Sequence, residues 1–167
     1  MDDAADIAFR SLTAGDIDLL VTATLENLNW SGPRFDRDDV WARPEFRRYA
    51  EFDSARGDFG VVAQHGREPI GVGWALFLPT EHAGYGHVDD RTPEFSLWVA
   101  SRSRGRGLGR EIAERLLRAA RDRDIAAVSL SVEPGNTRAR GLYRSLGFVD
   151  VAGRRDDGVM MWTAPGS

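Results

Sequence analysis

The sequence contains no cysteine. Disulfides, thiolate-bound metals and a thiol nucleophile are excluded together. No segment reaches the ~18 apolar residues that a membrane-spanning helix needs. A secretory leader needs a basic start and a continuous apolar stretch. The opening M-D-D-A-A-D is acidic and has no such stretch behind it, so the expected setting is cytoplasmic. Asn29-Trp30-Ser31 matches a glycosylation sequon, which carries no weight without secretion. Positive charge is in deficit: 22 Lys and Arg stand against 26 Asp and Glu, a formal net charge of -4. General nucleic-acid binding needs a basic face and is disfavoured. The acidic balance leaves room for a cationic small substrate.

What is present is an ordinary globular composition. The 167 residues are 42% hydrophobic and 10% aromatic. That is enough for a real core and fits a single domain over residues 1–167. Ile7–Leu12 alternates apolar and polar residues as a strand does. Thr13 then opens a helix, with Asp16 placed as in a capping box. Ile17, Leu20, Val21, Thr24, Leu25 and Leu28 share one face of that helix, which stops near Asn29. A second helix is predicted over Asp36–Ala50, kinked or restarted at Pro44. Phe59–Gln64 and Ile70–Leu78 read as a hairpin whose turn holds Gly66 and Pro69. Gly71 and Gly73, inside the second strand, mark a bulge or a close approach. Phe95–Ala100 is a strand, and Leu108, Ile112, Leu116 and Ala119 make the apolar face of a further helix. Ile125–Val132 is a buried strand, Asn136 to Gly147 a helix, and Phe148–Ala152 and Gly158–Thr163 closing strands. This order describes a mixed α/β domain on one sheet.

Between strand 95–100 and the next helix stands S-R-S-R-G-R-G-L-G-R, with four arginines from Arg102 to Arg110. A helix N-terminus offers unpaired N–H groups and partial positive charge. Glycine keeps side chains out of the way, and arginine adds forked hydrogen bonds to phosphate oxygens. The stretch is suited to a pyrophosphate. The triphosphate-loop pattern G-x-x-x-x-G-K-[ST] is missing. The dinucleotide pattern G-x-G-x-x-G fails at Arg110. R-x-x-G-x-G fits at Arg104, Gly107 and Gly109. Downstream, Asn136, Ala139 and Tyr143 share one side of a helix, followed by L-G-F at 146–148. Taken alone, that spacing equally describes an N-capping Asn136 and a Tyr143 packed on the sheet.

Taken together, L-W-V at 97–99, R-x-x-G-x-G at 104–109 and N-x-x-A-x-x-x-Y with L-G-F at 136–148 resemble the GNAT superfamily of acyl-CoA-dependent N-acyltransferases. The resemblance spans roughly residues 93–149. It implies a mostly antiparallel sheet of about six or seven strands, splayed at the cofactor site between strands 95–100 and 125–132 and flanked by about four helices. It implies that Arg104, Gly105, Arg106, Gly107, Leu108, Gly109 and Arg110 hold the pyrophosphate of acetyl-CoA. The backbone of Leu97, Trp98 and Val99 would pair with its pantetheine arm, Val99 N–H would face the thioester oxygen, and Asn136 would hydrogen-bond the arm. Tyr143 would protonate the departing thiolate. No metal is called for. Dimers are common in the family, so a homodimer is expected by analogy.

The acceptor amine, with pKa ~10.4, must lose a proton before it attacks. Glu94 is the leading base, with His87, Glu81 or a water as alternatives. Relatives often carry the glutamate one residue earlier, where this chain has Pro93; a bulge would restore the geometry, and without one Glu94 faces the other side and the base assignment falls. The acceptor, a small-molecule or peptide amine, would meet Asn29–Phe35 and Glu81–Glu94. The alternative from a different class is a non-catalytic acyl-CoA-binding or sensing module.

Overall fold

The computed structural model describes residues 6–166, so the acidic opening 1–5 lies outside the described residues. Strand β1 (Ile7–Ser11) leads through a single 3-10 turn (Ala14–Asp16) into helix α1 (Ile17–Leu28). Thr13 and Asp16 form the expected capping box, here on the 3-10 turn. The predicted helix over 36–50 is two short ones, α2 (Arg37–Ala42) and α3 (Pro44–Arg47). Arg43 between them is extended, with φ -103° and ψ 114°, as the residue before a proline prefers. Pro44 then starts α3, where its missing N–H costs nothing.

Strands β2 (Phe59–His65) and β3 (Glu68–Leu76) form the expected hairpin. Its turn is shorter than predicted, because Pro69 lies inside β3, opposite the register shift at Ala63/Gln64 where a missing donor is tolerated. Then follow β4 (Glu94–Val99), α4 (Leu108–Asp122), β5 (Ala127–Ser131), α5 (Thr137–Ser145), β6 (Val149–Asp150) and β7 (Val159–Thr163). Asn136 caps α5 and Gly147, at φ 98°, ends it. Among the described residues no helix is long and apolar enough to cross a membrane.

The seven strands form one sheet in the order β1-β2-β3-β4-β5-β7-β6. Every neighbouring pair is antiparallel except β4 and β5. Those two meet in parallel at a single position, Glu94 opposite Ser129, and then separate. The sheet is therefore split down its middle, as the resemblance implied.

Two cores sandwich it. On one face α1 and α2 bury Leu20, Val21 and Val40 against Val62, Val72, Trp74, Leu76 and Trp98. On the other, Leu116 and Leu117 of α4 and Tyr143 of α5 pack with Phe95, Val128, Leu130, Phe148 and Trp162. Gly71 and Gly73 mark a close approach: a Cβ on either would stand 2.6 or 2.8 Å from Ile112 of α4. These two glycines let α4 lie flat on β3, which sets the helix N-terminus beside the split.

Candidate active site

The split exposes one edge of β4. Ala100 N–H donates to Ile70 O at 2.8 Å, so by strand alternation Trp98 also directs its backbone to β3. The N–H and C=O groups of Leu97 and Val99 face the gap instead. The gap-facing backbone is thus two residues, Leu97 and Val99, where three were expected. Trp98 pairs with Val72, and its buried indole donates to Glu26 of α1. Both gap-facing carbonyls are engaged: Asn27 Nδ2 donates to Leu97 O at 3.0 Å and Arg104 Nε to Val99 O at 3.0 Å.

The Arg/Gly turn lies at the end of this edge. Gly105 and Gly107 have φ of 79° and 80°, a conformation other L-residues avoid, and a Cβ on either would meet nothing within 4 Å. Gly107 is the N-cap of α4, so the first N–H groups of a 15-residue helix open beneath it. Leu108 anchors the turn in the core, and a Cβ on Gly109 would stand 3.5 Å from the Leu97 and Val99 side chains, so glycine lets helix and strand come together. The arginines differ in availability. Arg102 pairs with Glu68 across β3 and turns away from the loop. Arg110 contacts Ser145 and lies 3.8 Å from Glu114, while Arg104 and Arg106 are exposed. Open glycines, free helix donors and cations at one end of an unpaired strand edge fit a pyrophosphate with an extended arm.

Tyr143 packs edge-on against Phe95 and Phe148, with ring centroids 6.0 and 5.7 Å away. Burial alone pushes its phenol far above the usual value, so it stays protonated at neutral pH. Asn136 Oδ1 accepts from Ala139 N at 3.2 Å, so the amide caps α5, and only its NH2 remains to serve a ligand.

Glu94 is buried, 5% exposed. The expected bulge is missing: β4 runs in unbroken register against β3 from Glu94 to Val99. In that register Glu94 shares the α1–α3 face of the sheet with Trp98. Its Oε1 accepts from Gly86 N at 2.7 Å. Desolvation raises its pKa to about 7, while hydrogen bonds from Tyr49 and Gly86 and the charge of Arg48 pull the other way. The reserve bases stand elsewhere. Glu81 is exposed, and His87 Nε2 lies 3.6 Å from Asp90 and 3.5 Å from Thr80 Oγ1.

The two segments expected to meet an acceptor flank the split. The α1–α2 loop bridges it: Trp30 Nε1 and the Arg34 fork both donate to Glu133, just past β5, at 2.7 to 3.0 Å. The 81–94 loop folds back over Glu94 and leaves Tyr85 53% exposed. Tyr49, Gly84 and Gly86, all in contact around Glu94, were not anticipated. The pair of glycines around Tyr85 was the one local signal. Nothing near Tyr49 in sequence points to residue 94.

Residues 22–148 match the acetyltransferase (GNAT) family. The chain belongs to that family. A stretch of 78 residues is 42% identical to mycothiol acetyltransferase of Beutenbergia cavernae, covering 47% of this chain and 24% of that protein. A stretch of 63 residues is 35% identical to the L-methionine sulfoximine/L-methionine sulfone acetyltransferase of Pseudomonas aeruginosa, covering 38% of this chain and 36% of that protein. The chain thus spans only about a quarter to a third of the curated relatives it matches. The PaiA N-acetyltransferase of Thermoplasma acidophilum, solved in complex with coenzyme A, shares the fold at TM-score 0.68 and 15% identity over 95% of this chain and 99% of that one.

Proposed function

We propose that this GNAT-family chain is an acetyl-CoA-dependent N-acetyltransferase, moving the acetyl group to a primary amine by direct attack in a ternary complex. The observation that carries the reading is the split edge of β4, with the N–H groups of Leu97 and Val99 turned into the gap and the Arg/Gly turn at its end. The relatives' names and the neighbour solved with coenzyme A point the same way.

When bound, acetyl-CoA supplies an activated acetyl thioester. Arg104, Arg106, Arg110 and the first N–H groups of α4 hold the pyrophosphate. Leu97 and Val99 N–H pair with the extended arm as a sheet edge pairs with a peptide. Val99 N–H donates to the thioester oxygen as negative charge gathers there. Glu94 receives the proton of the ammonium. It stands five residues along the strand from Val99, roughly 17 Å away, so that transfer runs through a chain of waters. As the new N–C bond forms and the C–S bond breaks, Tyr143, whose phenolate burial disfavours, donates its O–H as a hydrogen bond to the leaving thiolate. A thiolate of ordinary pKa ~8.5 needs only this modest help. The acceptor enters over the α1–α3 face, between Trp30 and Tyr85, as a small-molecule or peptide amine.

The test is the thermal shift with acetyl-CoA, followed by release of the free thiol with a panel of amines. Acetyl-CoA at ~100 times its Kd adds about 2.7 kcal/mol. Gly107→Trp, with a side chain filling the open space of the turn, is expected to abolish that shift. No shift in the unmodified protein at millimolar acetyl-CoA overturns the reading. A shift without turnover on any amine favours the sensing module.

A further inference from the structure

Glu94 is held by a device that the family reading does not contain. The Tyr49 hydroxyl accepts from Tyr85 N–H at 2.8 Å, which leaves its own hydrogen free. The Glu94 carboxylate lies beside that hydroxyl, placed to take the hydrogen. Both groups converge beside Gly84: a Cβ there would stand 2.4 Å from Glu94 Oε1 and 2.6 Å from the Tyr49 oxygen. Gly86 brings the second donor, and a Cβ on it would strike the Leu130 carbonyl carbon at 2.6 Å. The bend Gly84-Tyr85-Gly86 is thus seated between the carboxylate and β5, next to the point where the sheet splits. Neither glycine has the left-handed backbone that would explain it otherwise. Tyr49 is itself fixed: its carbonyl accepts from Trp74 Nε1 at 2.9 Å, and its ring stacks on Tyr85 at 6.3 Å with 7° between the planes. Arg48 ties Ala83 O, and Arg154 reaches His87 O at 3.1 Å, so the loop is clamped on both sides of the bend.

We propose that Tyr49 is a positioning residue for Glu94: one hydroxyl both orients the carboxylate and fixes the bend that presents Tyr85 to the acceptor cleft. The proposal rests on Glu94 being the base. A purely structural side chain here would serve as well as glutamine, whose carbonyl accepts from Gly86 N–H and Tyr49 without the cost of burying an ionisable group. A carboxylate at this place makes sense when its ionisation is used. The charged or titratable groups around it are Arg48 and Tyr49 from the segment after α3 and Tyr85 from the loop. His87 lies against Asp90 instead, and the paired positions on β3 and β5 are Leu76 and Ser129, which do not titrate.

Tyr49→Phe keeps the stacked ring and removes the donor. The expected result is a kcat lower by roughly tenfold, with acetyl-CoA affinity unchanged. The acidic limb of the kcat/KM profile is expected to move upward by about one pH unit, because the lost donor had favoured the ionised form. A limb that stays in place, whatever happens to the rate, overturns the proposal, since loosened packing lowers activity without moving a titration. If Tyr49→Phe does not fold, 3-fluorotyrosine at position 49 substitutes for it. As a more acidic phenol it is a stronger donor and must move the limb downward, and an unmoved limb again overturns the proposal. Glu94→Gln separates the two levels. A limb that persists in Glu94→Gln removes Glu94 as base and the proposal with it. A limb that vanishes there but ignores Tyr49 sinks the positioning role alone.

Discussion

The Arg/Gly turn and the Gly-Tyr-Gly bend both bring glycines to the same split in the sheet, for opposite reasons. Gly105 and Gly107 have empty space where a Cβ would be, and a left-handed backbone that demands glycine. Gly84 and Gly86 have an ordinary backbone and no space at all. The first pair is set by local conformation and leaves a surface open to a ligand. The second is set by packing and closes a surface around a carboxylate. The proposed cofactor half of the site is thus shaped by what is kept away from it, and the proposed acceptor half by what is pressed against it.

The largest break between the halves comes from Glu94→Gln. Loss of a general base costs about 10²- to 10⁴-fold, so kcat is expected to fall by that order. Acetyl-CoA affinity, measured by calorimetry, should stay as it was, because the pyrophosphate end is built from other residues. Equal losses in both quantities would show the halves to be one unit.

The same variant sharpens the contrast through stability. Glu94 has a folded pKa of about 7 against an ordinary 4.5. The folded chain keeps this proton between those pH values while the unfolded chain gives it up. The stability it contributes is complete below pH 4.5 and is lost as pH rises through 7. Glu94→Gln has no such loss. From pH 5 to pH 8.5 it is expected to gain about 3 kcal/mol on the parent, read from denaturant midpoints. No comparable pH dependence should follow substitutions in the Arg/Gly turn.

Asparagine distinguishes the two kinds of glycine directly. It visits the left-handed region more readily than other residues but still needs room. Gly105→Asn is expected to cost a few tenths of a kcal/mol. Gly86→Ala is expected to cost about 1–3 kcal/mol by overpacking, and Gly86→Asn more than Gly86→Ala. If Gly86→Asn were as mild as Gly105→Asn, the bend would not be seated on β5 at all.

The contrast also explains what could be read from sequence. The Arg104–Gly109 turn, the amphipathic α4 and the Asn136 cap are local patterns, and local physics repeats wherever such residues occur in order. Gly71 and Gly73 could be marked as a close approach, though not Ile112 as the partner. The split itself came only through family resemblance, since no pattern within β4 or β5 says that they part after Glu94 and Ser129. The bulge expected at Glu94 was wrong because side-chain direction was inferred from a relative's spacing rather than from the pairing with β3. Tyr49 was invisible. It stands 45 positions before Glu94, and only the folding of the α3 exit over β3 brings them together. Even the arginine cluster misled in one respect, for Arg102 belongs to Glu68.

That last point gives the smallest effect and a clean discrimination. Composition treats Arg102, Arg104, Arg106 and Arg110 alike, whereas geometry does not. Arg102 reaches across to Glu68 at 2.5 Å, with both side chains more than half exposed. An ion pair in that setting contributes little, so Arg102→Ala should leave the melting temperature nearly unchanged. It should also leave acetyl-CoA affinity within about twofold, because its charge is already paired and turned from the loop. Arg106 is exposed on the turn itself, between the two left-handed glycines. Losing one exposed charge-assisted contact is worth about 1 kcal/mol, so Arg106→Ala is expected to weaken acetyl-CoA roughly fivefold. The weakening should shrink as salt is raised, since screening erodes the contact that the parent enjoys. Equal effects at 102 and 106 would mean that the turn attracts its ligand by total charge alone, and that the open glycines do not select where the phosphates sit.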